Sequence, residues 1–110
     1  MATSYKVLAQ SNPSATTETT LYTTTSGSSG IVSTIAVCNQ ASTAATYRIA
    51  VRPAADGTTA AKHWIVYGAT VPASDSVMLT VGITMAAGDK IQIYASSANL
   101  SFSAFGSEVA

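Results

Sequence analysis

The chain is built from short segments in which apolar residues alternate with small polar ones, and clusters of Gly, Pro, Asn, Asp and Ser separate these segments. A period of two places successive side chains on opposite faces of a β-strand, whereas a helix needs apolar residues three and four positions apart. No segment carries such a helical stripe without a Gly, a Pro or a Ser/Thr cluster interrupting it. The pattern therefore predicts an all-β protein.

Eight segments fit this description, and their spacing is typical of a β-sandwich or a small barrel. The predicted strands cover residues 5–9, 19–25, 31–39, 46–52, 62–67, 76–81, 90–96 and 99–105. With 110 residues the chain is long enough for one domain around one hydrophobic core. We expect residues 1–110 to form a single antiparallel β-sandwich, either a jelly-roll or an immunoglobulin-like fold.

The alternation of residue types along the strand 46–52 predicts which of its side chains face the core. Tyr47 and Ile49 lie on one face, and Arg48 and Arg52 lie on the other. Because burying an unpaired charge costs several kcal/mol, we expect the arginines to point away from the core.

The strand 31–39 is rich in β-branched residues and carries no charge. This composition predicts a central strand that is covered on both faces. Cys38, the only cysteine, is then expected to be a small buried apolar residue, and no intrachain disulfide can form.

Charge is scarce along the whole sequence. Only 9% of the residues are charged, the formal net charge is zero, and 31 of the 110 residues are Ser or Thr. Such a surface offers no electrostatic attraction for nucleic acid or for an anionic membrane. A near-neutral surface opposes association only weakly, which favours a homo-oligomer or docking onto a larger assembly. No leader-like segment and no apolar stretch of roughly 20 residues occurs, so we expect synthesis in the cytoplasm without a membrane segment.

The residue types needed for catalysis are sparse and scattered. His63 is the only histidine, and the sequence places no nucleophile or orienting acid beside it, so we interpret it as a half-exposed strand residue. Asp56, Asp75 and Asp89 lie in predicted turns, where carboxylates cap backbone amides; a calcium site built from two of them is the alternative. We therefore predict no catalytic residue, no cofactor and no resident metal, and a protein that is not an enzyme.

Aromatic and arginine side chains are the remaining candidates for a functional surface. The aromatic side chains suit either a sugar-stacking platform or an interface; they are Trp64, Tyr67, Tyr22, Tyr47 and Tyr94. Trp64 could instead cap the core. Arg48 and Arg52 share one strand face and could grip a carboxylate of a neighbouring subunit, or simply be solvated. Phe105 faces away from the other apolar residues of the last strand. The predicted interface set consists of Trp64, Tyr67, Arg48, Arg52 and Phe105.

Several segments resemble the small virion structural proteins of tailed bacteriophages, particularly those of marine and cyanobacterial phages. The resemblance extends over nearly the whole chain. It is carried by MATSYKVL (1–8), ATTETTLY (15–22), VSTIAVCN (32–39), ATYRIAVRP (45–53), KHWIVY (62–67), YAS (94–96) and NLSFSAFG (99–106).

This resemblance implies a non-enzymatic component of a phage particle that is assembled in the host cytoplasm. One implied role is a capsid decoration or cement protein that clamps neighbouring major capsid subunits. The other is a tail, baseplate or fibre module that adheres to a glycan on the host surface. The implied partners are the major capsid protein, other virion proteins and further copies of the chain. The resemblance carries no catalytic residue.

Overall fold

The computed structural model describes residues 3–110, and in this part of the chain it contains eight β-strands and one 3-10 turn. Their bounds are β1 (Thr3–Ser11), β2 (Thr19–Thr23), β3 (Ser29–Asn39), β4 (Ala45–Arg52), the turn η1 (Ala61–His63), β5 (Trp64–Val71), β6 (Ser76–Met85), β7 (Lys90–Ala95) and β8 (Leu100–Val109). Each strand overlaps one of the eight predicted segments. The predicted all-β fold is confirmed.

The strands form two four-stranded sheets with the orders β1-β8-β3-β6 and β2-β7-β4-β5, which we call sheet A and sheet B. β1 pairs with β8, β2 with β7, β3 with β6 and β4 with β5, all antiparallel. The first four strands thus pair in reverse order with the last four, as in a long ribbon that has been rolled up. This winding is the jelly-roll, one of the two predicted topologies.

The core lies between the sheets and takes apolar side chains from both. Ile35 and Phe102 from sheet A and Ile49 and Ile93 from sheet B are fully buried. Tyr47 of β4 meets Phe102 of β8 edge to face, with 6.3 Å between the ring centres, and so joins the two layers. The prediction that Tyr47 and Ile49 face the core is therefore confirmed.

β3 is a central strand as predicted, because it pairs with β8 on one side and with β6 on the other. Only its inner face is covered, however. Val37 is fully buried, whereas Ile31 is 42% exposed and Cys38 is exposed. The predictions that both faces are covered and that Cys38 is buried are wrong. An uncharged outer face does not require burial, because small polar and single apolar residues tolerate solvent.

His63 lies in the turn η1 and not in a strand, and its side chain is buried. β5 begins only at Trp64, and its ladder with β4 shifts register between Ile49 and Ala50. This irregularity places Trp64 and Tyr67 on the same face, where their rings lie 5.5 Å apart. The predicted strand 62–67, with regular alternation and a half-exposed His63, is corrected on both points.

Candidate interaction surfaces

The outer face of sheet B carries an arginine surrounded by aromatic rings. The Arg48 guanidinium carbon lies 4.1 Å from the centre of the Tyr67 ring, 4.4 Å from that of Tyr94 and 6.0 Å from that of Trp64. These distances are within the range of cation–π attraction. We call Arg48, Trp64, Tyr67 and Tyr94 the aromatic–arginine cluster.

Antiparallel register explains why the cluster forms. Arg48 on β4 lies directly opposite Tyr67 on β5 and opposite Tyr94 on β7, so the two tyrosines flank it across the sheet. Within residues 3–110, no carboxylate lies within 4.0 Å of the Arg48 guanidinium. The flanking rings hold the guanidinium in place, and its charge is available to a carboxylate or another anion from outside the chain.

Arg52 belongs to a neighbouring polar network on the same face. Its Nη1 lies 3.9 Å from Glu18 Oε2 and donates a hydrogen bond of 3.3 Å to Thr59 Oγ1. Thr59 and the buried side chain of Gln92 both donate hydrogen bonds to the same Glu18 oxygen, at 2.6 Å and 2.8 Å. This network ties the segment before β2 and the segment after β4 to the sheet.

The charge of Glu18 is favoured by these contacts. Partial burial alone would raise the pKa of Glu18, but the hydrogen bonds from Thr59 and Gln92 and the positive charge of Arg52 outweigh it and lower that pKa. Arg52 is therefore engaged within the chain, in contrast to Arg48.

His63 stabilises the loop between β4 and β5 through hydrogen bonds at both of its ring nitrogens. Its Nδ1 accepts a hydrogen bond of 2.8 Å from the backbone N–H of Ala60, which places the ring proton on Nε2, 2.9 Å from Asp56 Oδ2. This hydrogen bond lowers the pKa of Asp56. The expectation that no acid lies beside His63 is wrong. Both ring nitrogens of His63 are hydrogen-bonded within the chain, so His63 and Asp56 stabilise the loop between β4 and β5.

The outer face of sheet A carries a second, apolar surface. Tyr5 is 84% exposed and Val7 is 50% exposed, and Ile31 and Phe105 lie on the same face. Ser107 lies between Tyr5 and Ile31 in the sheet, so its small side chain leaves a groove between them. We call Tyr5, Val7, Ile31 and Phe105 the apolar strip.

The five predicted interface residues fall on two surfaces. Arg48, Trp64 and Tyr67 meet in one cluster, Arg52 lies in the adjacent network, and Phe105 lies on the opposite side of the sandwich. Sequence reasoning named Tyr94 as an aromatic candidate but left it out of the interface set, and it did not identify the apolar strip. The candidates Tyr22 and Tyr47 are buried, so their assignment to an exposed platform is wrong. Tyr5 and Val7 carried a signal, since they alternate in one strand with polar residues.

The acidic turn residues act locally. Asp89 accepts hydrogen bonds from the backbone N–H groups of Ala54 and Ala86, and Asp75 accepts one from that of Ser76. Among residues 3–110 no three His, Cys, Asp or Glu side chains group as metal ligands. The same part of the chain has no helix with the length and apolarity needed to cross a bilayer.

Comparisons with models of protein families, with curated proteins and with solved structures each gave no match.

Proposed function

We propose that this chain is a non-enzymatic structural protein of a tailed-phage particle and that it decorates the capsid by docking on major capsid subunits. The observation that carries the proposal is the apolar strip, where Tyr5, Val7 and Ile31 expose large apolar surfaces on one sheet of a charge-poor sandwich. Exposed apolar patches of this kind mark contact surfaces. The assignment to a phage particle rests on the sequence resemblance to small phage virion proteins.

The fold supports the same reading by analogy. Jelly-rolls are frequent among viral capsid and lectin domains, although a fold alone does not assign a function. A decoration protein works through contact area, and the hydroxyl-rich outer face of sheet A offers area without charges that must be desolvated.

The test is binding of the purified protein to capsid shells that lack it. Replacing Tyr5 and Ile31 together with serine removes the centre of the apolar strip at exposed positions, and we expect at least a tenfold loss of affinity, since central apolar anchors dominate interfaces. The matched control is Met78→Ser, which removes a 67% exposed apolar side chain from the same sheet. Equal binding by all three proteins, or absence of the chain from purified particles, would contradict the proposal.

The aromatic–arginine cluster favours a second candidate, a tail, baseplate or fibre module that adheres to a host glycan. Aromatic side chains offer surfaces on which sugar rings pack, and the Arg48 guanidinium suits the carboxylate of an acidic sugar. A shallow pocket borders Trp64 and Tyr67 and is also lined by Thr59 and Ala60.

Glycan adhesion is tested with acidic and neutral polysaccharides from the host surface. We expect Trp64→Ala to abolish binding, and Arg48→Gln to weaken binding to acidic polysaccharides alone. The control is Tyr5→Ala, which removes an exposed aromatic ring from the opposite sheet. Loss of binding in the control as well, or no binding by the unmodified protein, would exclude this candidate.

A further inference from the structure

Four strands lie at the sheet edges: β1 and β6 in sheet A, and β2 and β5 in sheet B. An edge strand presents backbone N–H and C=O groups that a strand of another chain can pair with. Folded proteins usually block such pairing with a charge, a proline, a bulge or a very short edge strand. The four edges of this sandwich are protected to different degrees.

Three of the edges combine at least two protective features. β1 contains Lys6, and its ladder shifts register between Val7 and Ala9. β2 has only five residues and a register shift of its own. β5 shifts register twice against β4, and Gly68 there has a positive φ of 85°. Each of these features makes a further strand harder to add.

β6 lacks a charge and a proline over its ten residues, Ser76–Met85. Its side chains alternate between exposed and partly buried from Ser76 to Thr84 without a break. Its single protective feature is a register shift against β3 between Thr80 and Ile83, and Ser76 to Thr80 form five consecutive regular pairs with β3. In residues 3–110 this strand pairs with β3 alone, so its other edge is open.

The inward side chains of β6 are incompletely buried. Val77, Leu79 and Val81 pack against the core, yet all three remain partly exposed because no strand lies beyond them. A strand added at this edge would cover them and would satisfy the open backbone groups at the same time.

We propose that β6 pairs antiparallel with β6 of a second copy, so that two sheets A join into one continuous eight-stranded sheet. The sequence of β6 is complementary to itself across a twofold axis. With Leu79 opposite its counterpart, Val77 lies opposite Val81 and Met78 opposite Thr80, so apolar inward residues meet apolar inward residues. No like charges meet, because the strand has none.

This dimer goes beyond the phage role and does not depend on it. The apolar strip centres on Tyr5, Ile31 and Phe105 around β8, and β6 lies at the far edge of the same sheet from β1. Dimerisation through β6 therefore leaves the proposed docking surface accessible. A chain that dimerises but binds no capsid would retain this inference and lose the proposed function.

Sedimentation of the full chain over a range of concentrations tests the dimer. We expect the unmodified protein to be dimeric at about 0.1 mM, where a dimer with a micromolar Kd is almost fully formed. Thr80→Lys places two like charges near the twofold axis at an exposed position, and we expect it to raise the dimer Kd at least tenfold. The matched control is Thr70→Lys, at an exposed position of the β5 edge, which should leave the Kd unchanged.

Amide hydrogen exchange keeps the proposal testable if Thr80→Lys perturbs the fold. In the unmodified protein, we expect amides within residues 77–83 to exchange more slowly as concentration rises, while those of β1, β2 and β5 stay unchanged. A monomer at about 0.1 mM would overturn the proposal. So would a dimer whose β6 amides keep their monomer exchange rates, since a different surface would then form the contact.

Discussion

β8 approaches β3 so closely that a methyl group on Gly106 would lie 1.9 Å from the carbonyl oxygen of Ile31. The approach coincides with the point where β3 shifts register between Val32 and Thr34. We expect Gly106→Ala to force the two central strands of sheet A apart and to lower the free energy of unfolding by about 2–4 kcal/mol.

Chemical denaturation of the variant checks this value. The matched control is Gly82→Ala, because a methyl group there meets no atom within 4 Å and the backbone needs no positive φ. That substitution should change stability by less than about 1 kcal/mol. An equal loss of unfolding free energy in the two variants would contradict the close approach of β8 to β3.

The core depends on the central strand β3. Ile35 is fully buried on its inner face. Ile35→Asp would place an unpaired charge there, and we expect it to cost more than about 4 kcal/mol and to abolish the cooperative thermal transition. Cys38→Asp puts the same charge at an exposed position of the same strand and should melt almost like the unmodified protein. A native transition in Ile35→Asp would contradict the position of β3 in the core.

The lowered pKa of Glu108 makes the free energy of unfolding depend on pH in acid. A hydrogen bond from the Tyr22 hydroxyl, followed by contacts with Lys6 and Thr25, lowers the pKa of Glu108 to about 2 from its ordinary value of 4.5. Below pH 4.5 the unfolded chain takes up this proton before the folded chain does. The contribution of Glu108 is therefore complete above pH 4.5 and disappears as the pH falls towards 2.

Unfolding free energies measured at a series of pH values test this sign. We expect Glu108→Gln to be less stable than the unmodified protein at pH 7 and to lose less stability between pH 4.5 and 2. Glu18 and Asp56 also have lowered pKa values and add to the acid loss in both proteins. Parallel pH curves for the two proteins would rule out Glu108 as a source of this dependence.

Cys38 provides a chemical test of the exposed face of β3. Because its side chain is exposed, we expect a thiol reagent to label it in the folded protein without denaturant. Val37→Cys in a Cys38→Ser background moves the thiol to the adjacent, fully buried position, where labelling should require unfolding.

We also expect Cys38→Ala to leave assembly intact; loss of assembly would give the thiol a role beyond packing.

The strands could be predicted from the sequence because the core imposes their alternation. In β4, a register that buries Tyr47 and Ile49 also keeps Arg48 out of the core, so composition and geometry agree. β3 offered no such constraint. Its outer residues Ile31 and Cys38 carry no charge, so the sequence could not distinguish a face open to solvent from one that is covered.

The candidate surfaces depend on contacts between distant segments, which alternation does not encode. Asp56 reaches His63 only because the loop after β4 folds back through the turn η1. Trp64 joins Tyr67 only because β5 shifts register, although strict alternation assigns them to opposite faces. Residue types identified most of the cluster, but not its geometry.

Cryo-microscopy of intact particles that carry this chain, beside particles that lack it, shows whether the protein decorates the capsid. We expect a small β-sandwich repeated regularly on the capsid lattice, with Tyr5 and Ile31 facing a major capsid subunit. Identical capsid density in the two kinds of particle would contradict this expectation.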